Sequence, residues 1–164
     1  MSAAEDTQNF KQTLKTHGAK TLHLLLTAML IWLFGVLVFI PLANQLGANT
    51  QLVITLIVLA AFATLDFSAL SGTKQLIDAF AAFPARKYLI KRGIPHDNAV
   101  EATKQLLYIA AIIIAYLLYY PFLAQLQPAL NGIILTSLVI IIFFLAIQTI
   151  RLTKNAILNW MTKD

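Results

Sequence analysis

The chain has 164 residues, of which 59% are hydrophobic and 12% are charged, with a mean hydropathy of +0.77 and a net charge of +5. Soluble domains carry about twice this share of charged residues, so the composition excludes an ordinary soluble domain and predicts a membrane protein. The absence of cysteine excludes disulfide bonds, thiol catalysis and cysteine-ligated metals.

The chain begins with a polar segment, residues 1–20, in which Phe10 and Leu14 are spaced as on one face of a helix. This spacing predicts a short helix on the cytoplasmic membrane surface, and a disordered tail is the alternative. Residues 21–43 contain no Asp, Glu, Lys or Arg, and at about 1.5 Å per residue they cross a hydrocarbon core of about 30 Å. We predict the first transmembrane helix there and the second over residues 51–73.

Polar and apolar side chains alternate at helical spacing after the second predicted helix. The pattern predicts an interfacial amphipathic helix that ends at Pro84, with Lys74 and Asp78 as an ion pair at i, i+4. The first hairpin and its interfacial helix therefore cover residues 21–83, and a basic cytoplasmic connector covers residues 84–103. Four connector residues are expected to contact anionic lipid headgroups, at about 1 kcal/mol each, or an acidic partner: Arg86, Lys87, Lys91 and Arg92.

The second half of the chain, residues 104–164, follows the same plan. Transmembrane helices are predicted over residues 104–124 and 131–150, followed by an interfacial exit helix. Amphipathic rings favour the headgroup level, so we expect three tyrosines near the far end of the third helix to lie there: Tyr116, Tyr119 and Tyr120.

An internal repeat relates residues 37–80 to residues 117–160 without a gap, at a constant offset of 80 positions. Residue types that are scarce in this chain share the register: Pro41 with Pro121, and Lys74 with Lys154. Each unit of a repeat needs the other to complete its packing, and chance similarity of apolar stretches is the alternative. The repeat predicts two antiparallel transmembrane hairpins of the same orientation, unlike an inverted repeat.

The basic residues predict the orientation of the chain. All twelve Lys and Arg residues lie before residue 21, within residues 74–104, or after residue 150, and the turns at 44–51 and 124–131 have none. Because cytoplasmic loops carry an excess of Lys and Arg, we predict a multi-pass plasma-membrane protein with both termini in the cytoplasm. The predicted fold class is an all-α membrane protein with four transmembrane helices, arranged as two parallel-repeat hairpins with cytoplasmic amphipathic helices.

Asp66 is the only ionisable residue deep in a predicted span, where a carboxylate costs about 2.5–3.5 kcal/mol on insertion scales. A functional interpretation joins it to Thr64 and Ser68 in a polar path. Alternatively, Asp66 is protonated or hydrogen-bonded to a neighbouring helix and serves assembly. Three partners are candidates for that bond: Thr27, Tyr108 and Gln148.

Gln148 is the second polar residue within a span, and we expect it to form an interhelical hydrogen bond worth about 1 kcal/mol. The sequence has no glycine-rich phosphate loop, no Ser/His/Asp set, no paired carboxylates and no histidine spacing typical of a metal site. We therefore expect no enzyme, no cofactor and no metal. The placement of the positive charge indicates membrane orientation and not nucleic-acid binding.

A basic linker, a span, a short turn and a second span with an Ala-x-Gln step occupy residues 86–160. The linker reads RKYLIKRGIP, and the step consists of Ala146, Ile147 and Gln148, followed by Asn155. In this order the segment resembles the membrane region of the small-conductance mechanosensitive channel family, without its cytoplasmic domain. The resemblance implies that the last span lines a pore.

Four apolar spans leave little room for an aqueous path inside one copy, so we expect function to need several copies of the chain or larger membrane-protein partners. The leading hypothesis is an oligomeric ion channel or small-solute pore that responds to bilayer tension through its surface helices. The first alternative is a non-catalytic accessory or assembly subunit of a larger membrane complex. The second alternative is a proton-coupled carrier that uses Asp66.

Overall fold

The computed structural model of the chain describes the backbone of residues 3–161 and the side chains of residues 7–8, 10–91, 93–127 and 129–154. Nearly all of this range is helical. Four helical stretches are long and apolar enough to cross a membrane, and we number them spans 1 to 4: Phe10–Leu46, Ala48–Leu89, His96–Leu126 and Ala129–Lys154. The prediction of an all-α chain with four helices able to span a membrane is confirmed.

The helix of span 1 begins at Ala3 and changes its winding twice. Its α-helical segments are Ala3–Thr13, Ala19–Phe34 and Ile40–Leu46, and they are joined by π turns at Leu14–Gly18 and Gly35–Phe39. Pro41 has no N–H, and its ring clashes with the preceding turn of a regular helix. Ile40 donates its N–H to the carbonyl of Gly35, and this wider π turn lets the helix continue past the proline.

The polar N-terminal segment is therefore continuous with span 1 and packs against the helix of span 2. The ring of Phe10 meets the ring of Phe83 edge-on, with centroids 5.2 Å apart at 80°, and lies 6.2 Å from the ring of Phe80. These contacts dock the first helical turns on the far end of span 2.

The helix of span 2 runs beyond its predicted end. Its segments are Ala48–Phe80, Ala82–Pro84, a π turn at Ala85–Leu89 and a 3₁₀ turn at Ile90–Arg92. The predicted end at Pro84 is wrong. Pro84 lies in the first turn after a break at Ala81, and because N–H groups in a first helical turn have no partner within the helix, proline costs no hydrogen bond there. Gly93 ends the helix instead, with a left-handed φ of 84°.

Both hairpins reverse at single residues. Span 1 ends at Leu46 and the next helix begins at Ala48, with Gly47 between them at a φ of 112°. Spans 3 and 4 belong to the helices His96–Leu126 and Pro128–Met161, which Gln127 joins in an extended conformation. Gly47 and Gln127 are 80 positions apart, which is the offset of the sequence repeat. The relation between the two halves beyond these corners stays a prediction.

The spans follow one another in a helix row, in which span 2 packs against spans 1 and 3 and span 4 packs against span 3. Span 1 also contacts span 3 through the side chain of Trp32. We call the end of the protein that holds Gly47 and Gln127 the corner end, and the opposite end, with the 3₁₀ turn Ile90–Arg92, the connector end. A core cluster joins spans 1, 2 and 3 through these buried residues: Ala28, Ile40, Val58, Phe62 and Phe122. No residue in the most apolar window of span 4 is buried.

Two glycines bring spans 1 and 2 into close contact. A Cβ atom at Gly35 would overlap the side chain of Val58, and a Cβ atom at Gly72 would overlap the hydroxyl of Thr21. Small residues let transmembrane helices approach closely, which strengthens van der Waals packing where no hydrophobic force acts between helices. The crossing at Gly72 lies toward the connector end.

Candidate functional site

Asp66 forms an interhelical hydrogen bond, with a partner that the sequence analysis did not name. The hydroxyl of Tyr119 in span 3 donates to Oδ2 of Asp66 over 3.1 Å. The ring of Tyr119 packs against Phe62, with centroids 5.0 Å apart, so the phenol is held inside the helix row. Tyr119 therefore lies against the core cluster through its ring, and not only at the headgroup level expected for it.

The three partners proposed for Asp66 are engaged elsewhere. Thr27 donates to the carbonyl of His23, Tyr108 donates to Oδ1 of Asp78 over 2.7 Å, and Gln148 accepts from Gln105. The antiparallel packing of spans 2 and 3 sets the pairs of Tyr108 with Asp78 and of Tyr119 with Asp66, and helical periodicity in either span alone does not define that register.

Thr64 and Ser68 do not meet Asp66. The hydroxyl of Thr64 donates to the carbonyl of Ala60, and that of Ser68 donates to the carbonyl of Thr64, each over 2.7 Å. Two positions along a helix turn the side chain by about 200°, so Asp66 lies on the opposite face of span 2 from both hydroxyls. The exposure of the residues agrees with this, because Thr64 and Ser68 are exposed and Asp66 is half-buried.

An exposed strip of small and polar side chains runs along this outer face of span 2. We call it the hydroxyl strip, and its members are Ala60, Ala61, Thr64, Ser68, Ser71 and Gln75. They fall within about 100° of the helix circumference. The strip faces outward from the row, away from span 3, and it borders the groove that separates spans 1 and 2.

Spans 3 and 4 are joined by a small amide and hydroxyl network near the connector end. Nε2 of Gln105 donates to Oε1 of Gln148 over 3.1 Å, and Oγ1 of Thr149 donates to Oε1 of Gln105 over 3.0 Å. Gln105 is buried. Gln105 was not predicted as a contact residue because it lies at the predicted start of the third helix. A lone amide at the edge of an apolar run is nevertheless a sequence signal for an interhelical hydrogen bond.

Two further contacts tie the hairpins together. Nε2 of Gln51 donates to Oε1 of Gln125 over 3.0 Å at the corner end, and Nε1 of Trp32 donates to the carbonyl of Leu118 over 2.7 Å. These bonds, with those of Asp66 and Gln105, use polar groups inside the spans for helix packing. They line no path through a single copy.

Asp78 uses a carboxylate oxygen for Tyr108, and no ion pair between Lys74 and Asp78 forms among the described side chains. The predicted pair is therefore wrong. The reason is that the side chain of Asp78 points toward span 3, where a phenol donor lies at its level.

The basic connector residues lie at the connector end. Lys87 and Lys91 are exposed, Arg86 is half-buried, and Nζ of Lys87 lies 5.3 Å from the ring centroid of Tyr88. Arg92 is the last residue of the 3₁₀ turn, and its side chain lies outside the described part of the chain. Exposed lysines at this end of the row are compatible with a headgroup role, which stays a prediction.

Comparison with protein-family models, with curated proteins and with solved structures gave no match. The resemblance to the mechanosensitive channel family therefore stays a prediction. By the length and composition of its helices, the chain belongs with multi-pass membrane proteins. No cluster of three His, Asp or Glu side chains occurs in the part of the chain that the structure describes.

Proposed function

We propose that the protein is an oligomeric membrane pore for ions or small solutes, in which the hydroxyl strips of neighbouring copies line the path. The observation that supports this proposal is the exposure of Thr64, Ser68 and Ser71 along one face of a helix that is otherwise apolar. Polar side chains in a span usually face a bundle interior or a water-filled cavity. A single copy provides neither for this face, so a second copy is needed.

The chemistry of the strip suits a neutral path. The hydroxyls of Thr64 and Ser68 donate to carbonyls of their own helix, which leaves their oxygen lone pairs facing outward as acceptors. Ala60 and Ala61 have small side chains, so that the span 2 helices of several copies can lie close together around a water-filled path.

Span 4 carries two exposed hydroxyls toward the corner end, Thr136 and Ser137, which donate to carbonyls of their own helix. Beyond them its exposed side chains are large and apolar and include Ile140, Phe143 and Phe144. The resemblance to mechanosensitive channels points to span 4 as the pore-lining helix, and we assign the path to span 2 because its run of exposed small and polar side chains, from Ala60 to Gln75, is longer.

Cysteine accessibility tests this proposal cleanly, because the natural chain has no cysteine. We expect Ser68→Cys in membrane vesicles to react with a membrane-impermeant thiol reagent and the conductance to fall after the reaction. Leu70→Cys, exposed on another face of span 2, and Phe144→Cys in span 4 are matched controls that lipid should shield. Equal reactivity at Ser68 and Leu70, or reaction at Phe144 alone, would contradict the assignment.

A second candidate function has its own supporting observation. Ala60, Thr64 and Ser68 are spaced at i, i+4 and i+8, which is the small-residue pattern of close helix pairing in membranes. If the strip binds a helix of another membrane protein, this chain is an assembly subunit and transports nothing. The same Ser68→Cys variant then stays unreactive in the native membrane and becomes reactive once detergent separates the partners.

A further inference from the structure

The connector end of the hydroxyl strip opens into a depression formed with the N-terminal helix, and a second depression lies beside it on that helix. The first has a volume of about 340 Å³ and is lined by Gln12, Thr13, Thr16, His17 and Gln75. Gln75 is the last member of the strip, so this depression continues the strip beyond the span.

The second depression is lined by the preceding turns of the same N-terminal helix and has a volume of about 560 Å³. It shares Gln12 with the first and adds the side chains of Lys11 and Lys15. Both lysines are exposed. No acidic side chain lines either depression among the described residues.

The π turn at Leu14–Gly18 joins the helix that carries these groups to span 1. A π turn packs an extra residue into one turn and displaces the side chains that follow it. Thr16 and His17 lie within this turn and line the first depression beside Gln75. The docking of Phe10 on Phe83 holds the segment against span 2.

From this geometry we infer that the proposed pore prefers anions, because its connector-end mouth is lined by Lys11, Lys15 and His17 and continues into a neutral hydroxyl wall. This inference rests on the proposed function and names its solute class. Rings of lysine at a pore mouth raise the local concentration of anions and lower that of cations. In a symmetric oligomer each copy adds its own two lysines to the ring.

The amides complete the recognition chemistry. Gln12 and Gln75 each offer an NH₂ group that donates hydrogen bonds to a partly dehydrated anion. Chloride and inorganic phosphate share the negative charge and the need for donors, and they differ in size. The mouth therefore recognises small inorganic anions by charge first and by hydrogen bonding second.

The test measures the reversal potential of the purified full chain in planar bilayers of neutral lipid, under a potassium chloride gradient. We expect chloride to be more permeant than potassium, and the chloride to potassium permeability ratio to fall toward one in the Lys11→Gln/Lys15→Gln variant, because every copy then loses both lysines of the ring. The preference should weaken in 1 M salt, where the Debye length is about 3 Å.

Lys87→Gln/Lys91→Gln is the matched control, since it removes the same charge from exposed lysines elsewhere at the connector end. This variant should keep the chloride preference. A conducting protein that prefers potassium, or one whose ratio falls equally in both double variants, overturns the anion site and leaves the pore standing. A protein that inserts and conducts nothing overturns the pore, and the anion preference with it.

Discussion

At the scale of single residues, the polar side chains inside the spans divide into two groups. Asp66 and Gln105 bind partners on neighbouring helices, over 3.1 Å to Tyr119 and to Gln148 respectively. Thr64 and Ser68 bond to their own backbone and face outward. The first group holds the helix row together, and the second group is the candidate for contact with solute or with another copy.

The bond between Tyr119 and Asp66 should be measurable as stability. Interhelical hydrogen bonds in membrane proteins contribute about 0.6 kcal/mol on average and up to about 1.7 kcal/mol, so we expect Tyr119→Phe to lower the free energy of unfolding in mild detergent by an amount in that range. Asp66→Asn keeps an acceptor for the phenol and should cost less. Tyr120→Phe, on a ring that is 48% exposed, is the control and should change little. If Tyr119→Phe is as stable as Tyr120→Phe, the bond does not contribute to the free energy of unfolding.

Gly72 permits a close approach of spans 1 and 2. A methyl group there would overlap the hydroxyl of Thr21, a buried side chain on a helix, and overpacking of this kind costs about 1–3 kcal/mol. We therefore expect Gly72→Ala to lower the thermal stability of the detergent-solubilised protein. Gly132→Ala in span 4 is the control, because no atom lies within 4 Å of the added Cβ and alanine favours a helix. Equal melting temperatures for the two variants would contradict the close crossing.

At the scale of elements, the N-terminal helix is the segment whose place the sequence left open. It continues into span 1 through the π turn Leu14–Gly18 and packs on the far end of span 2 through Phe10. The helix thereby connects the first depression to the end of span 2. A tilt of span 2 would move this contact, and the response to bilayer tension stays a prediction.

Removing the Phe10 ring should release this helix from span 2. Aromatic pairs contribute about 0.5–1.5 kcal/mol beyond their buried area, so in Phe10→Ala we expect faster amide hydrogen exchange over residues 7–20, with spans 3 and 4 unchanged. Phe67→Ala removes a ring that is 73% exposed and should leave this exchange unchanged. If exchange in residues 7–20 is the same in both variants, the helix is held by other contacts.

At the scale of the whole molecule, the four spans leave two different outer faces. Span 4 offers large apolar side chains such as Ile140 and Phe144, which lipid covers at no cost. Span 2 offers the hydroxyl strip, whose small side chains suit contact with another helix or with water. The second face is therefore the expected site of self-association. The orientation of the row, with its basic connector end in the cytoplasm, stays a prediction.

Filling the strip should disturb assembly. Ser68→Leu adds bulk at the centre of the strip, where neighbouring copies would approach, and we expect the mass of the particle extracted in mild detergent to fall toward that of a single chain. Ser137→Leu makes the same change at an exposed serine of span 4 and should leave the particle unchanged. Dissociation by Ser137→Leu alone would move the interface to span 4 and would remove the support for a path along span 2.

The sequence by itself determined the features that depend on local chemistry. Apolar runs about as long as the hydrocarbon core is thick predicted four helices, and the structure has them. The two turns predicted at 44–51 and 124–131 contain both corners, Gly47 and Gln127. The predicted helix end at Pro84 failed because proline is tolerated in a first helical turn, and the break at Ala81 has no distinctive residue to announce it.

Only the tertiary structure decided which polar side chains meet. Tyr119 and Asp66 are 53 positions apart, and the antiparallel register of spans 2 and 3 pairs them. The three partners expected for Asp66, namely Thr27, Tyr108 and Gln148, form hydrogen bonds with other groups. Periodicity in one helix tells which residues share a face, but it carries no information on how far a second helix slides along it. The packing of Phe62, Tyr119 and Phe122 sets the register of spans 2 and 3. That register also decides which polar groups bond between helices and which remain on the surface.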